Sequence, residues 1–447
     1  MIRNLSILAL VCSIVSSSIN IFPLILLSWT FNLLLFIFIF LRRRYLRFES
    51  SIVLLGLFCF FYLLYAFLIG VDIFNAELFR RELKFFIPFS NCFFLSQLDY
   101  GKNKSTIIIN SFYALIFMNI IFLFAALLYL SLEIPLQELY PYSNNMWENY
   151  GDGYSVLYTG LFSSHTAFGG WLGTSIILTL SVLIFDNKKS SKKIFFLLSL
   201  IIFLIALLFL SKSRAYSVGI IFVIGIFLYK DFFKKLIMKN AIILSLAGAI
   251  IFGGYSVTQQ VQSIDVENIE MDWTESTAEV NVSIRFVLWA IAINNFIQSP
   301  IIGVGATRYD DDPLVLMTFP EISSEERSSF ESPSFNESLI SRINVGEFQI
   351  HTDQHAHNLF LNVIAETGLL GLMLLLIVIA KIFKKLREFS KVCNSIEDNI
   401  VIKFTYYSFI LLLCASMFGN NFLGLIPGYL IFSIYGYLLS IFHKTNQ

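Results

Sequence analysis

The chain has 447 residues, 57% of them hydrophobic and only 14% charged, with a formal net charge of zero and a mean hydropathy of +0.74. Soluble globular chains carry about a quarter charged residues, so that class is excluded. The balanced charge also excludes a nucleic-acid partner, which needs a basic surface.

From the N-terminus, Arg3 precedes an apolar run that closes on Ser16-Ser17-Ser18, an arrangement shared with secretory signal peptides. It lacks a clear small-x-small cleavage site, and a second apolar run begins at Ile21, so it reads as a first membrane helix. A bilayer core needs about 20 mostly apolar residues per helix. On that basis spans are expected near 5–20, 22–41, 51–71, 85–98, 107–131, 165–185, 194–211, 215–229, 241–257, 358–380, 401–418 and 423–442, about 12 transmembrane helices in an all-α polytopic membrane protein. Four of the five cysteines fall in apolar stretches and Cys393 in a Lys-rich connector, so no disulfide framework is written here.

Lys and Arg collect in alternate short connectors, which places those connectors on the cytoplasmic side. They are Arg42-Arg43-Arg44 with Arg47, Lys102 and Lys104, Lys188-Lys189 with Lys192-Lys193, Lys230 to Lys239, and Lys381 to Lys403. The opposite set includes Glu133–Ser164 and Thr258–Ala356, neither of which contains a Lys. The expected organisation is therefore residues 1–257 as N-terminal membrane helices, 258–357 as a large acidic periplasmic loop and 358–447 as C-terminal membrane helices, with both termini cytoplasmic. Inside the loop, Ser283–Ile297 reads as a helix stopped by Ser299-Pro300 and Gly303-Val304-Gly305.

Charges near membrane depth are costly and call for a role. On the external side stand Arg80, Arg81, Lys84, Arg214 and Arg285, which point to an anionic ligand. Arg214, in Ser211-Lys212-Ser213-Arg214, sits in a connector too short to leave the membrane surface, where a guanidinium can grip phosphate oxygens in pairs; it can equally snorkel to lipid headgroups. Arg285 opens the loop helix, whose free N–H groups add to anion binding, or it pairs with nearby acidic residues. Arg80 and Arg81 lie among Glu77, Glu82 and Lys84 and favour helix-surface ion pairs.

The densest polar cluster is His351-Thr352-Asp353-Gln354-His355-Ala356-His357-Asn358, where the loop re-enters the membrane. A His at a helix N-terminus is kept neutral by the local potential, which suits a general base, and His357 is the first candidate. Asn358, Asn362 and Glu366 recur every four residues and form one polar stripe, Glu366 about 12 Å beyond Asn358. Half a turn away from His357, Glu366 suits a hydrogen bond to a neighbouring helix better than catalysis. Gly368 and Gly371 suit close helix packing. His351, Asp353, His355 and His357 form an alternative zinc set, and Asp310-Asp311-Asp312 an alternative divalent-ion set, although neither has a recognisable ligand spacing.

His357-Asn358, nine residues, then Gly368-x-x-Gly371 resembles the signature of the bacterial O-antigen polymerase and ligase family. Arg285-Phe-Val-Leu-Trp289 with Ser299-Pro300-Ile-Ile-Gly303-Val-Gly305, and Ser211-Lys-Ser-Arg214, are similar to that family's loop and external Arg turn. The resemblance implies a C-type membrane glycosyltransferase architecture, an undecaprenyl-diphosphate-linked oligosaccharide as donor and no cofactor or metal. It makes His357 the base on an acceptor hydroxyl, with inversion at the anomeric carbon, and gives Arg214 and Arg285 the departing diphosphate. Arg80, Arg81, His355, His165 and Glu366 are secondary candidates. Membrane lipid and a chain-length regulator are the other expected partners. Polymerase is favoured over ligase because the acidic loop has no basic cluster for phosphorylated core sugars. A lipid-linked glycan flippase would instead show internal repeats and midplane charges.

Overall fold

The computed structural model describes residues 2–19, 22–43, 46, 48–68, 76–101, 104–132, 159–162, 164–186, 190–227, 229, 289, 292–293, 295–305, 356, 358–393, 395–418 and 425–443. They form eleven long helices: α1 (Ile2–Ile19), α2 (Phe22–Arg43), α3 (Ser50–Leu68), α4 (Ala76–Gln97), α5 (Ser105–Ser131), α6 (His165–Phe185), α7 (Ser191–Leu210), α8 (Arg214–Phe227), α9 (Leu359–Val392), α10 (Ile396–Ala415) and α11 (Leu425–His443). No strand occurs among the described residues. Six helices, α2, α5, α6, α7, α9 and α10, are long and apolar enough to cross a bilayer, and the apolar parts of α1, α3, α8 and α11 are shorter. The described residues are thus all-helical, in the pattern of a multi-pass membrane protein. The span expected at 241–257 and nearly all of 258–357 lie outside the described residues.

Two helices differ from expectation in length. The span expected at 85–98 is the second part of α4, which begins at Ala76 and carries Arg80, Arg81 and Lys84 on helical backbone. The span expected to end at 380 continues to Val392, giving α9 34 residues, or about 50 Å. Lys and Arg are good helix formers, and Ile382, Leu386 and Phe389 prolong its buried stripe beyond the apolar run. Phe389 stacks on Phe442 of α11 at 4.6 Å.

Helix α6 lies deep in the bundle against α7, α8 and α10, while α4 runs along α11 and α3 along α9. Small residues permit this closeness. A side chain at Gly170 would meet Tyr216 and Pro427, and one at Gly173 would meet Leu411. Between α1, α2, α4 and α11 a buried polar cluster ties the helices. Asn32 donates through Nδ2 to Ser13 Oγ at 2.8 Å and Asn91 Oδ1 at 2.6 Å, and Asn91 donates to Ser433 Oγ at 2.8 Å. In contrast Leu34, Ile121, Phe124, Phe195 and Ile202 are exposed on α2, α5 and α7, the faces that acyl chains would solvate.

The described residues of the basic connectors that form ion pairs lie at one end of the bundle. Lys385 Nζ of α9 lies 3.2 Å from Glu49, Lys193 lies 2.6 Å from Asp186, and Arg3 lies 3.9 Å from Asp99. Ser105 bonds Asp398 across the start of α5 and α10, and Ser440, near the end of α11, bonds the Leu98 carbonyl at 2.5 Å. Both the start of α1 and the end of α11 therefore share the basic end.

Candidate functional site

At the opposite end, α9 begins with its first turn fully organised. Asn358, extended at φ −150° and ψ 115°, accepts through Oδ1 from Phe360 N at 3.0 Å and Leu361 N at 3.2 Å. Leu359 N donates to the Ser416 carbonyl at the end of α10 at 2.8 Å. Three of the N–H groups that a helix start leaves free are thus satisfied.

A buried polar chain runs below this cap. Asn362 Oδ1 accepts from the backbone N–H of Ala356 at 3.3 Å, and its Nδ2 donates to Glu366 Oε2 at 3.0 Å. The same carboxylate oxygen accepts a short hydrogen bond from Tyr62 of α3. Glu366 is fully buried, and Asn362 and Tyr62 nearly so. Because the carboxylate only accepts, it fixes the Asn362 amide with its oxygen toward Ala356, the residue before His357. Glu366 is therefore linked to the neighbouring helix α3 and, through Asn362, to the entry of α9.

Immediately beyond Glu366 the helix breaks. Gly368 has φ 62° and ψ −161°, and residues 299–305 fill the break. Leu369 N and Leu370 N donate to the carbonyls of Pro300 at 2.9 Å and Ile301 at 3.1 Å, while Val304 N and Gly305 N donate to Ala365 O and Glu366 O, both at 2.9 Å. The loop supplies the partners that an interrupted helix at membrane depth would otherwise lack. Gly303, at φ 74°, would drive a Cβ into the Glu366–Thr367 peptide, and Gly368 would drive one into the Ile301–Ile302 peptide. The two glycines are mutually interlocked. Gly368 thus serves a backbone exchange rather than the helix packing its spacing suggested, and Gly371 faces Thr367 of its own helix.

Arg214 opens α8 after a tight turn. Lys212 takes φ 53°, Arg214 N bonds Lys212 O at 3.0 Å, and Ser213 N bonds Ser211 Oγ at 3.4 Å. Buried Ser213 lies against Gly169 of α6. Arg214 itself is exposed, and among the described residues no carboxylate pairs with it. Gly219, further along α8, packs on Leu411 and Cys414 of α10, whose end holds Leu359, so Arg214 and the start of α9 occupy the same end. His165 begins α6 at that end too, capped by Ser164.

Arg285, His351, His355, His357, Asp353 and Asp310 to Asp312 lie outside the described residues, as do the side chains of Arg80 and Arg81. Among the described residues no group of His, Cys, Asp and Glu is arranged to hold a metal. Sequence reading missed Tyr62, whose only signal is a hydroxyl within the apolar run of α3. It also treated 299–305 and 368–371 as separate motifs although they form one contact.

Fold and site together define a multi-pass membrane protein in which residues 299–305 lock into a broken helix. Over residues 200–376 the chain matches the O-antigen ligase family model, consistent with the O-antigen polymerase and ligase family. The matched segment contains Arg214, the 299–305 loop and α9 through the Gly368 break. No curated protein matches the chain.

Proposed function

We propose that this protein is an O-antigen, or related surface-polysaccharide, polymerase of the inner membrane. It transfers an undecaprenyl-diphosphate-linked glycan to a lipid-linked repeat unit on the periplasmic face. The family match supports a membrane glycosyltransferase, and the gathering of Lys and Arg at one end supports a cytoplasmic location for that end and its termini. The observation that carries the site assignment is the buried chain Tyr62–Glu366–Asn362, which ends on the N–H of Ala356. It holds the main chain next to His357 at the end that also bears the exposed Arg214, which pairs with no carboxylate among the described residues.

In this reading His357 accepts the proton of an acceptor sugar hydroxyl as the oxygen attacks the donor's anomeric carbon. The bond to the diphosphate breaks on the opposite face, with inversion, and the proton then passes to solvent. Arg214 and Arg285 meet the negative charge that grows on the diphosphate in the transition state. Glu366 is a positioning residue acting through Asn362. No metal or cofactor takes part, and a chain-length regulator is an expected partner.

The description of the matching family favours a second reading, ligase, in which the acceptor is lipid A core. Deleting the gene in its host and separating surface lipopolysaccharide on a gel, beside complemented and His357→Ala strains, distinguishes the two. Core with at most one repeat unit is the expected polymerase result. Bare core with long glycan left on the carrier indicates ligase, and an unchanged ladder removes the protein from lipopolysaccharide assembly.

A further inference from the structure

A cleft of about 620 Å³ lies between α8, α9 and α10, with its charged residues toward the basic end. Its two parts differ in chemistry. Ile226, Ala380, Phe383, Ile410 and Leu413 form an apolar wall, and Lys384, Arg387 and Lys391 line the remainder. The three cations are spaced by three and four residues, so they share one face of α9. Glu388 also borders the cleft, but Lys385 stands 3.6 Å from its carboxylate. Among the described residues no carboxylate forms an ion pair with Lys384, Arg387 or Lys391. Arg387 reaches Tyr406 OH at 3.5 Å, a long contact that leaves most of its N–H groups available.

The dimensions match the membrane boundary. From Ala380 to Lys391 the helix rises about 16 Å, enough to pass from acyl-chain depth to the headgroup layer. Tyr406, an amphipathic ring of the type found at that boundary, touches both parts, with its hydroxyl 3.5 Å from Arg387 and its ring edge-on to Phe383 at 5.1 Å. Cations that only snorkel or complement a helix end need no cleft; here three converge on one that is continuous with an apolar wall.

We propose that this cleft binds an anionic phospholipid, its headgroup phosphate held by Lys384, Arg387 and Lys391 and an acyl chain laid along Ile226, Ala380, Ile410 and Leu413. The site is independent of the transfer reaction and of which membrane face is which, because both leaflets present phosphate.

The test uses full-length protein in detergent, titrated with phosphatidylglycerol or phosphatidylcholine and read by native mass spectrometry. Wild type is expected to retain phosphatidylglycerol preferentially. Lys384→Gln/Arg387→Gln/Lys391→Gln, all at exposed positions, is expected to weaken that retention by about a hundredfold, at roughly fivefold per cation. Lys192→Gln/Lys193→Gln, at the start of α7, is expected to retain it. Equal retention of both lipids by wild type, an unchanged preference in the triple variant, or equal loss in the α7 control overturns the proposal. Full displacement of the lipid by millimolar inorganic phosphate would also overturn it, since the site would then recognise a free anion.

Discussion

The two ends of the bundle are tied in different ways. At the basic end, helices meet through side-chain ion pairs such as Lys385–Glu49 and Lys193–Asp186, at partly exposed positions. At the opposite end they meet through the main chain: four hydrogen bonds join residues 300–305 to 365–370, and Leu359 N bonds Ser416 O. Exposed ion pairs contribute little and tolerate substitution. A backbone exchange depends on close approach, so it is sensitive to a single added carbon. The end that is proposed to perform chemistry is thus the one tied through the main chain, and it leaves Arg214 without a carboxylate among the described residues.

The largest expected effect on that contrast comes from Gly368→Val. The added side chain meets the Ile301–Ile302 peptide at a positive φ, and overpacking plus backbone strain should cost about 3 kcal/mol or more. Thermal unfolding in detergent should show a large fall in midpoint; wild-type stability would mean that the interlock is absent. Arg214→Ala should lower glycan turnover about a hundredfold, the scale of losing one transition-state donor, with an unchanged unfolding midpoint because the side chain is exposed. A similar loss of stability and activity together would recast it as structural.

Glu366→Ala leaves Tyr62 and Asn362 buried without their acceptor, at about 1–3 kcal/mol, and should reduce turnover as well as the unfolding midpoint. Glu366→Gln, which keeps an acceptor oxygen, should recover part of both, and no recovery would argue that the charge itself is needed. The smallest change is expected at the other end. Lys385→Ala, at a partly exposed pair that also sets the ammonium over the Phe389 ring, should shift stability by about 1 kcal/mol, and the shift should shrink in high salt.

Much of the fold was legible because the membrane imposes it. Apolar runs of suitable length gave eleven helices whose positions agree with the expected spans. The apolar span expected at 85–98 is shorter than α4 because Arg80, Arg81, Glu82 and Lys84 interrupt the hydropathy but not the helix, which begins at Ala76 and carries them on the helical backbone that their helix-surface reading requires. The end of α9 was misjudged because hydropathy falls at Lys381, yet Ile382, Leu386 and Phe389 keep its buried face. At the site, the four-residue stripe Asn358, Asn362 and Glu366 was visible as a period. Its partners were not, since Tyr62 and Ala356 are distant in sequence or contribute only a backbone N–H. The Gly303–Gly368 interlock was hidden for a related reason: glycine spacing on a helix indicates close approach but not what approaches.

This protein itself is proposed to transfer a lipid-linked glycan with His357 as the base. Purified protein given undecaprenyl-diphosphate-linked repeat units, with products resolved by size, tests it directly against His357→Ala. Lengthened glycan on the carrier is expected from the wild type and none from the variant, with the same unfolding midpoint for both. Equal turnover by the variant would contradict the base assignment, and no turnover by folded wild type on carrier-linked repeat units would contradict the polymerase itself.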